Sequence, residues 1–251
     1  MSAARVQIES KARVLVVDDH PVMRDGLRWM IEQQRDMVCC GEAGTAAETL
    51  VAVARRHPDL VILDLWLKNA DGLDLIKSLK KRFPKLRILI FSQYDLPMYL
   101  ERALRAGARG YVGKDQAADE VLNAARSVLR GDIYLTRGML TRLLQKCASE
   151  ELKASDGNPR WLTDRELQVL HLLGIGMSSR DIATELGLSI KTIETYRENI
   201  KTKLQLAGAP ALIGYARKWI KEQFSVPSEM LMSHPRVPTP NRRTLAPVVG
   251  V

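Results

Sequence analysis

The first 130 residues repeat one alternation five times: a short apolar run, then a longer stretch with helical spacing. The runs are 13–17, 38–42, 60–65, 86–91 and 110–112; the stretches are 22–33, 46–56, 73–82, 97–106 and 117–129. Central runs that are apolar throughout read as strands covered on both faces, the habit of parallel sheets. Leu73, Ile76 and Leu79 show the helical period, and Pro58 and Pro84 punctuate the returns to strand. The expectation over 11–130 is an α/β doubly wound, five-stranded parallel sheet with right-handed connections.

Beyond it the character changes. A helix over 137–148 gives way to Ser155-Asp156-Gly157-Asn158-Pro159, so 131–157 reads as helix and linker. From 158 to 224 every periodic segment is helical, which predicts a small all-α domain. Residues 225–251 hold five of the eleven prolines and read as a disordered tail. No uncharged apolar run approaches the ~20 residues that span a bilayer, so a cytoplasmic address with no membrane contact is expected. Cys39, Cys40 and Cys147 have no paired spacing and read as buried thiols. The net charge of +9 is spread along the chain and says little about a polyanionic partner.

In a sheet of this kind functional groups gather at the carboxyl ends of the strands. Asp18 and Asp19 follow the first run, Asp64 closes the third, Ser92 follows the fourth and Lys114 the fifth. Any one of these alone is ordinarily a solvated strand-end residue. Three carboxylates brought together repel unless a cation sits among them, and a hard ion such as Mg²⁺ takes oxygen ligands. Lys114 then pairs with a phosphate, Ser92 donates a hydrogen bond, and Asp64 is the nucleophile that forms an acyl phosphate.

Val16-Val17-Asp18-Asp19-His20-Pro21, Leu63-Asp64-Leu65, Ile90-Phe91-Ser92 and Arg109-Gly110-Tyr111-Val112-Gly113-Lys114-Asp115 resemble the flavodoxin-like receiver domain of NarL/FixJ-type response regulators. The resemblance implies a two-component protein phosphorylated on Asp64 by a histidine kinase. It implies Mg²⁺ held by Asp19, Asp64 and the Trp66 backbone carbonyl, with Asp18 acting through water. Tyr111 falls at the family's aromatic switch position. Where the family usually carries Met-Pro, this chain has Leu67-Lys68, which frees the backbone beside the site and adds a cation. His20 adjoins the pocket but reads as the start of a helix.

The second domain writes out its helix starts. Thr163-Asp164-Arg165-Glu166 is a capping box, Ser178-Ser179-Arg180-Asp181 a similar one, and Ser189 caps a third helix. A short helix, the Gly187-Leu188 turn and a longer helix with a polar outer face describe a helix-turn-helix. That face offers Lys191, Thr192, Glu194, Thr195, Arg197, Glu198 and Lys201 to a DNA groove. Leu162-Thr163-Asp164-Arg165-Glu166, Ile182-Ala183-Thr184-Glu185-Leu186 and the 192–204 segment resemble the LuxR-type DNA-binding domain. In that family the final helix pairs two domains on promoter DNA, and the receiver masks the pairing until it is phosphorylated. The resemblance therefore implies a homodimer when phosphorylated, through Leu212, Tyr215, Ala216 and Trp219. Two rivals stay open. An aspartate phosphotransferase usually needs a second acid where Trp66 stands, so no enzyme is expected; an adaptor whose helices bind protein is the other.

Overall fold

A computed structural model describes residues 11–93, 97–150 and 159–224. The 225–251 tail and the Cys147 side chain lie outside the described residues.

The first half alternates strand and helix as the apolar runs require. In order it contains β1 (Ala12–Val17), α1 (Pro21–Glu32), β2 (Met37–Ala43), α2 (Ala46–Arg56), β3 (Leu60–Leu63) and α3 (Gly72–Arg82). β4 (Arg87–Ser92), α4 (Pro97–Ala106), β5 (Gly110–Gly113) and α5 (Ala118–Arg130) complete the five units. The strands run parallel in the order β2-β1-β3-β4-β5-β6. β1 therefore neighbours both β2 and β3, and the chain reverses its direction of travel there. The carboxyl ends on either side of that switch form a crevice.

The sixth strand departs from expectation. α5 ends at Gly131, whose left-handed backbone (φ 99°) turns the chain back along the sheet. β6 (Tyr134–Leu135) then pairs with Gly110 and Tyr111 of β5, and α6 (Arg137–Glu150) packs against α4. Part of the segment expected to link the domains thus belongs to the sheet. A two-residue strand carries no periodicity by which a sequence could announce it.

Both sheet faces are buried. Val14, Val16, Ile62, Leu89, Phe91 and Val112 pack with Leu27, Ile31, Val121 and Val128 of α1 and α5. Leu15, Val17, Val61, Leu63, Ile88, Ile90 and Tyr111 face the helices of the other side. Cys40 is buried and Cys39 half-buried, both as free thiols.

The second half comprises a short 3₁₀ turn (Pro159–Trp161), α7 (Asp164–Gly174), α8 (Ser179–Leu186), α9 (Ile190–Lys203) and α10 (Ala209–Phe224). The expected starts are present: reciprocal capping boxes at Thr163–Glu166 and Ser178–Asp181, and Ser189 accepting from the Thr192 amide. Gly187 closes α8 in the left-handed region (φ 66°), where a β-carbon is strained. α7 is the hub, packed against α10, α9 and α8. Its core joins that of the sheet. One buried apolar cluster runs from Leu63 through Trp66, Leu67 and Tyr99 into Leu167, Leu170 and Ile193.

Candidate functional site

The backbone brings the five expected polar groups together. The Asp18 amide donates to Ala43 and the Asp64 amide to Val17, which fixes both residues just past the ends of their strands. β3 ends at Leu63, one residue before Asp64 and two before its expected limit. Ser92 pairs in register with Gly113, and the Lys114 amide donates to the Ser92 carbonyl. Lys114 Nζ consequently lies 2.6 Å from Asp18 Oδ2 and 2.8 Å from Asp64 Oδ2. Asp18, Asp64, Ser92 and Tyr111 are all buried.

The charges are coupled. Burial pushes the Asp64 carboxyl up; the Lys114 ammonium draws it back, and the neighbouring Asp18 carboxylate raises it again. Burial works against the Lys114 charge, but Asp64 and Asp18 hold the ammonium above its ordinary range. The Trp66 amide donates to Asp64 Oδ1 at 3.1 Å.

Asp19 is the informative member. Its two carboxylate oxygens are buried and accept no hydrogen bond among the described residues. The neighbours are cationic or titratable instead: His20 Nδ1 at 3.0 Å and Lys68 Nζ at 3.6 Å. Ligand atoms of Asp18, Asp19, His20 and Asp64 all lie within 4.8 Å of one another. An oxygen-rich set of buried carboxylates, one of which accepts no hydrogen bond among the described residues, fits a hard divalent cation. His20 does precede α1, but its side chain makes no capping bond; the ring faces the carboxylates.

The helix-turn-helix presents Lys191, Glu194, Thr195 and Glu198 to solvent, while Thr192, Arg197 and Lys201 are half-buried. Arg197 donates to Ser179 Oγ and to Glu194, which ties α9 to the start of α8. Tyr196, Asn199 and Lys203 belong to another face of α9. They line a charged cleft of about 1220 Å³ opposite Asp74, Lys77, Arg102 and Arg105 of α3 and α4.

The expected pairing surface on α10 needs correcting. Leu212, Ala216 and Trp219 are buried in the domain's own core, so only Tyr215 of the four remains partly accessible. α10 packs on α7, and that contact consumes its apolar stripe. Its exposed side is Gly214, Arg217, Lys218 and Lys221.

Two family models match the chain. Residues 14–126 match the response regulator receiver domain, and residues 160–216 match the bacterial regulatory proteins of the luxR family. The oxygen regulatory protein NreC of Staphylococcus epidermidis is 32% identical over 211 residues, covering 82% of this chain and 97% of NreC. The chain belongs to the response regulators with a LuxR-type domain. The transcriptional regulatory protein MctR of Rhizobium johnstonii is another relative of this response regulator, 33% identical over 82% of this chain and 93% of MctR. RcsB of Salmonella typhimurium shares the fold at a TM-score of 0.59, 27% identity and coverage of 83% of this chain and 98% of RcsB. RcsB has also been solved on promoter rprA with the phosphomimetic BeF₃⁻, at a TM-score of 0.56, 27% identity and coverage of 83% and 99%. No helix among the described residues is long and apolar enough to cross a membrane.

The contact between the two halves was not legible beforehand. Arg102 of α4 donates to Asp164 at 2.5 Å and to the Leu162 carbonyl at 2.9 Å, and Lys77 reaches Asp164 at 3.1 Å. The Trp66, Tyr99 and His171 rings pack together from three elements, and the Asn69 amide donates to the Leu186 carbonyl at 3.0 Å. The receiver thus meets α7 and the α8–α9 turn. The one available signal was Leu65-Trp66-Leu67, an apolar run continuing past the strand into what is usually a solvated loop.

Proposed function

We propose that this transcriptional response regulator takes a phosphoryl group on Asp64 from a histidine kinase and, so modified, pairs on promoter DNA. The observation that carries the reading is the position of Asp64, buried between Lys114 and the two carboxylates of Asp18 and Asp19. An Asp64 oxygen attacks the phosphorus of phosphohistidine; the P–N bond breaks, imidazole leaves, and an acyl phosphate forms. Lys114 holds the phosphoryl oxygens, the Ser92 hydroxyl donates to one of them, and Tyr111 follows Ser92. Asp19, Asp64 and the Trp66 carbonyl are the residues to hold Mg²⁺, with Asp18 acting through water. Bound there, the ion neutralises the charge that gathers on the transferring group. The buried Asp19 oxygens, which accept no hydrogen bond among the described residues, support this assignment.

Lys191, Thr192, Glu194, Thr195, Arg197, Glu198 and Lys201 are the proposed DNA-reading face of α9, in keeping with RcsB on its promoters. The experiment is mass spectrometry after incubation with acetyl phosphate and Mg²⁺. Wild type gains one phosphoryl mass and Asp64→Asn gains none; equal labelling of both places the acceptor elsewhere.

A further inference from the structure

His20 meets the carboxylates of the pocket through a ring that its own helix does not use. The residue precedes α1, and Pro21 at the first helical position confines it to extended backbone (φ −89°, ψ 111°). Its amide donates to Asp18 Oδ1 at 2.8 Å, and its carbonyl accepts from the Met23 and Arg24 amides. The backbone is thus held at both polar atoms, and yet the side chain makes no capping bond. The imidazole turns to the pocket instead, with Nδ1 3.2 Å from Asp18 Oδ1 and 3.0 Å from Asp19 Oδ1.

Asp19 Oδ1 accepts no hydrogen bond among the described residues, the ring nitrogen beside it included, although the side chain is only 7% exposed. A nitrogen lone pair and a carboxylate oxygen this close repel unless a cation lies between them. Ligands ~2.1 Å from an octahedral ion stand ~3.0 Å apart when adjacent and ~4.2 Å apart when opposite. The 3.0 and 3.2 Å spacings match the first value, and the four residues, all within 4.8 Å, have room for the second. Lys68 approaches Asp19 by Oδ2, and Lys114 approaches Asp18 and Asp64 by Oδ2, so Oδ1 of Asp18 and of Asp19 are the atoms turned to His20. We infer that His20 Nδ1 is a further ligand of the pocket's divalent cation and makes the site favour Mn²⁺ over Mg²⁺. Carboxylates serve both ions, whereas imidazole contributes far more to a first-row transition ion than to Mg²⁺. The inference rests on the pocket being the cation site.

Mn²⁺ and Mg²⁺ affinities are measured calorimetrically at one pH on the full chain, for wild type, His20→Ala and His20→Asn. The His20 side chain is 58% exposed, so neither variant opens the core, and asparagine caps a helix well should alanine unfold it. Both variants are expected to lose Mn²⁺ affinity several-fold and to keep Mg²⁺ affinity within about twofold. Electron spin-echo modulation of bound Mn²⁺ should show an imidazole nitrogen in wild type and none in either variant. A wild-type signal without that nitrogen, or a Mn²⁺ to Mg²⁺ ratio that the variants leave unchanged, overturns the inference. Tighter binding of both ions by the variants overturns it too, since His20 would then be a counter-charge that the metal displaces. In each of these cases the pocket assignment stands. Binding of both ions that Asp19→Asn does not weaken overturns the inference and the pocket assignment together.

Discussion

Arg102 and Asp164 form a 2.5 Å ion pair that fastens α4 of the receiver to the first turn of α7. Both side chains are mostly buried, and the guanidinium also holds the Leu162 carbonyl. Arg102→Ala removes the shared partner of a carboxylate and a carbonyl, a loss of about 1–3 kcal/mol for a charge-assisted bond. Lys77 remains beside Asp164, which places the effect toward the lower end. Unphosphorylated Arg102→Ala should therefore bind DNA roughly tenfold more tightly than wild type, measured by anisotropy at fixed salt. Unchanged binding would mean that this pair holds nothing shut.

Lys68 stands beside the pocket, its half-exposed ammonium 3.6 Å from Asp19. An exposed pair of this kind contributes about 0–1 kcal/mol. Lys68→Ala should tighten Mg²⁺ binding by no more than about fivefold. Calorimetry at low ionic strength reads the difference, which should shrink as salt is added.

Asp71 caps α3 through the amides of Leu73 and Asp74 while facing the second domain. Burial, and then the Asp164 carboxylate, raises it to about 6; Arg165 opposes. A carboxyl raised in the docked form binds more protons there than when released. Its contribution to docking is complete below the ordinary carboxylate range and is lost as pH rises through about 6. Burial takes His171 the other way, down to about 4, so wild type sums two opposed trends. The difference between wild type and Asp71→Asn isolates the first, since asparagine still caps the helix. Protease sensitivity of the interdomain linker should rise from pH 5 to pH 7 more in wild type than in the variant. Parallel profiles would remove Asp71 as the cause.

Trp219 was expected to serve a pairing surface and instead fills the core between α10 and α7. Trp219→Ala should cost about 3–5 kcal/mol of domain stability, visible as a lower thermal midpoint before any question of dimers arises. Arg217→Glu or Lys218→Glu, on the exposed side, probes pairing without disturbing the core. A midpoint unchanged in Trp219→Ala would restore the surface role.

These cases mark how far the sequence reaches. The pocket was legible because Asp18, Asp19, Asp64, Ser92 and Lys114 stand at strand ends that apolar periodicity locates. The helix-turn-helix was legible because Thr163, Ser178 and Ser189 write their caps in local code. The face to which an apolar stripe turns is settled only by packing, and so α10 was misread. The interdomain contact uses an arginine, an aspartate, a histidine and an asparagine that have no mutual spacing, and β6 is too short to have a period. The strand-three run overshot to Leu65 because the apolar sequence continues into the following loop, where Trp66 packs on His171 of the second domain.

Lys114 holds the pocket together in the absence of a divalent cation. Its ammonium lies within 2.8 Å of two buried carboxylates, Asp18 and Asp64. Lys114→Met keeps the length of the side chain and removes the charge, leaving those carboxylates to repel each other and Asp19. Breaking a buried pair in this way costs about 3–5 kcal/mol. Asp64, already raised by burial, loses the charge that lowered it, so the deficit should be largest at neutral pH and shrink as acid protonates the cluster. Mg²⁺ supplies the missing positive charge. Its addition should raise the thermal midpoint of Lys114→Met by more than that of wild type, since a ligand that binds only the folded form stabilises it in proportion to its affinity. Adding Asp64→Asn to the variant should recover part of the midpoint without Mg²⁺, because one carboxylate of the repelling set is gone. A Lys114→Met midpoint equal to wild type in chelator would show that the carboxylates do not depend on this lysine.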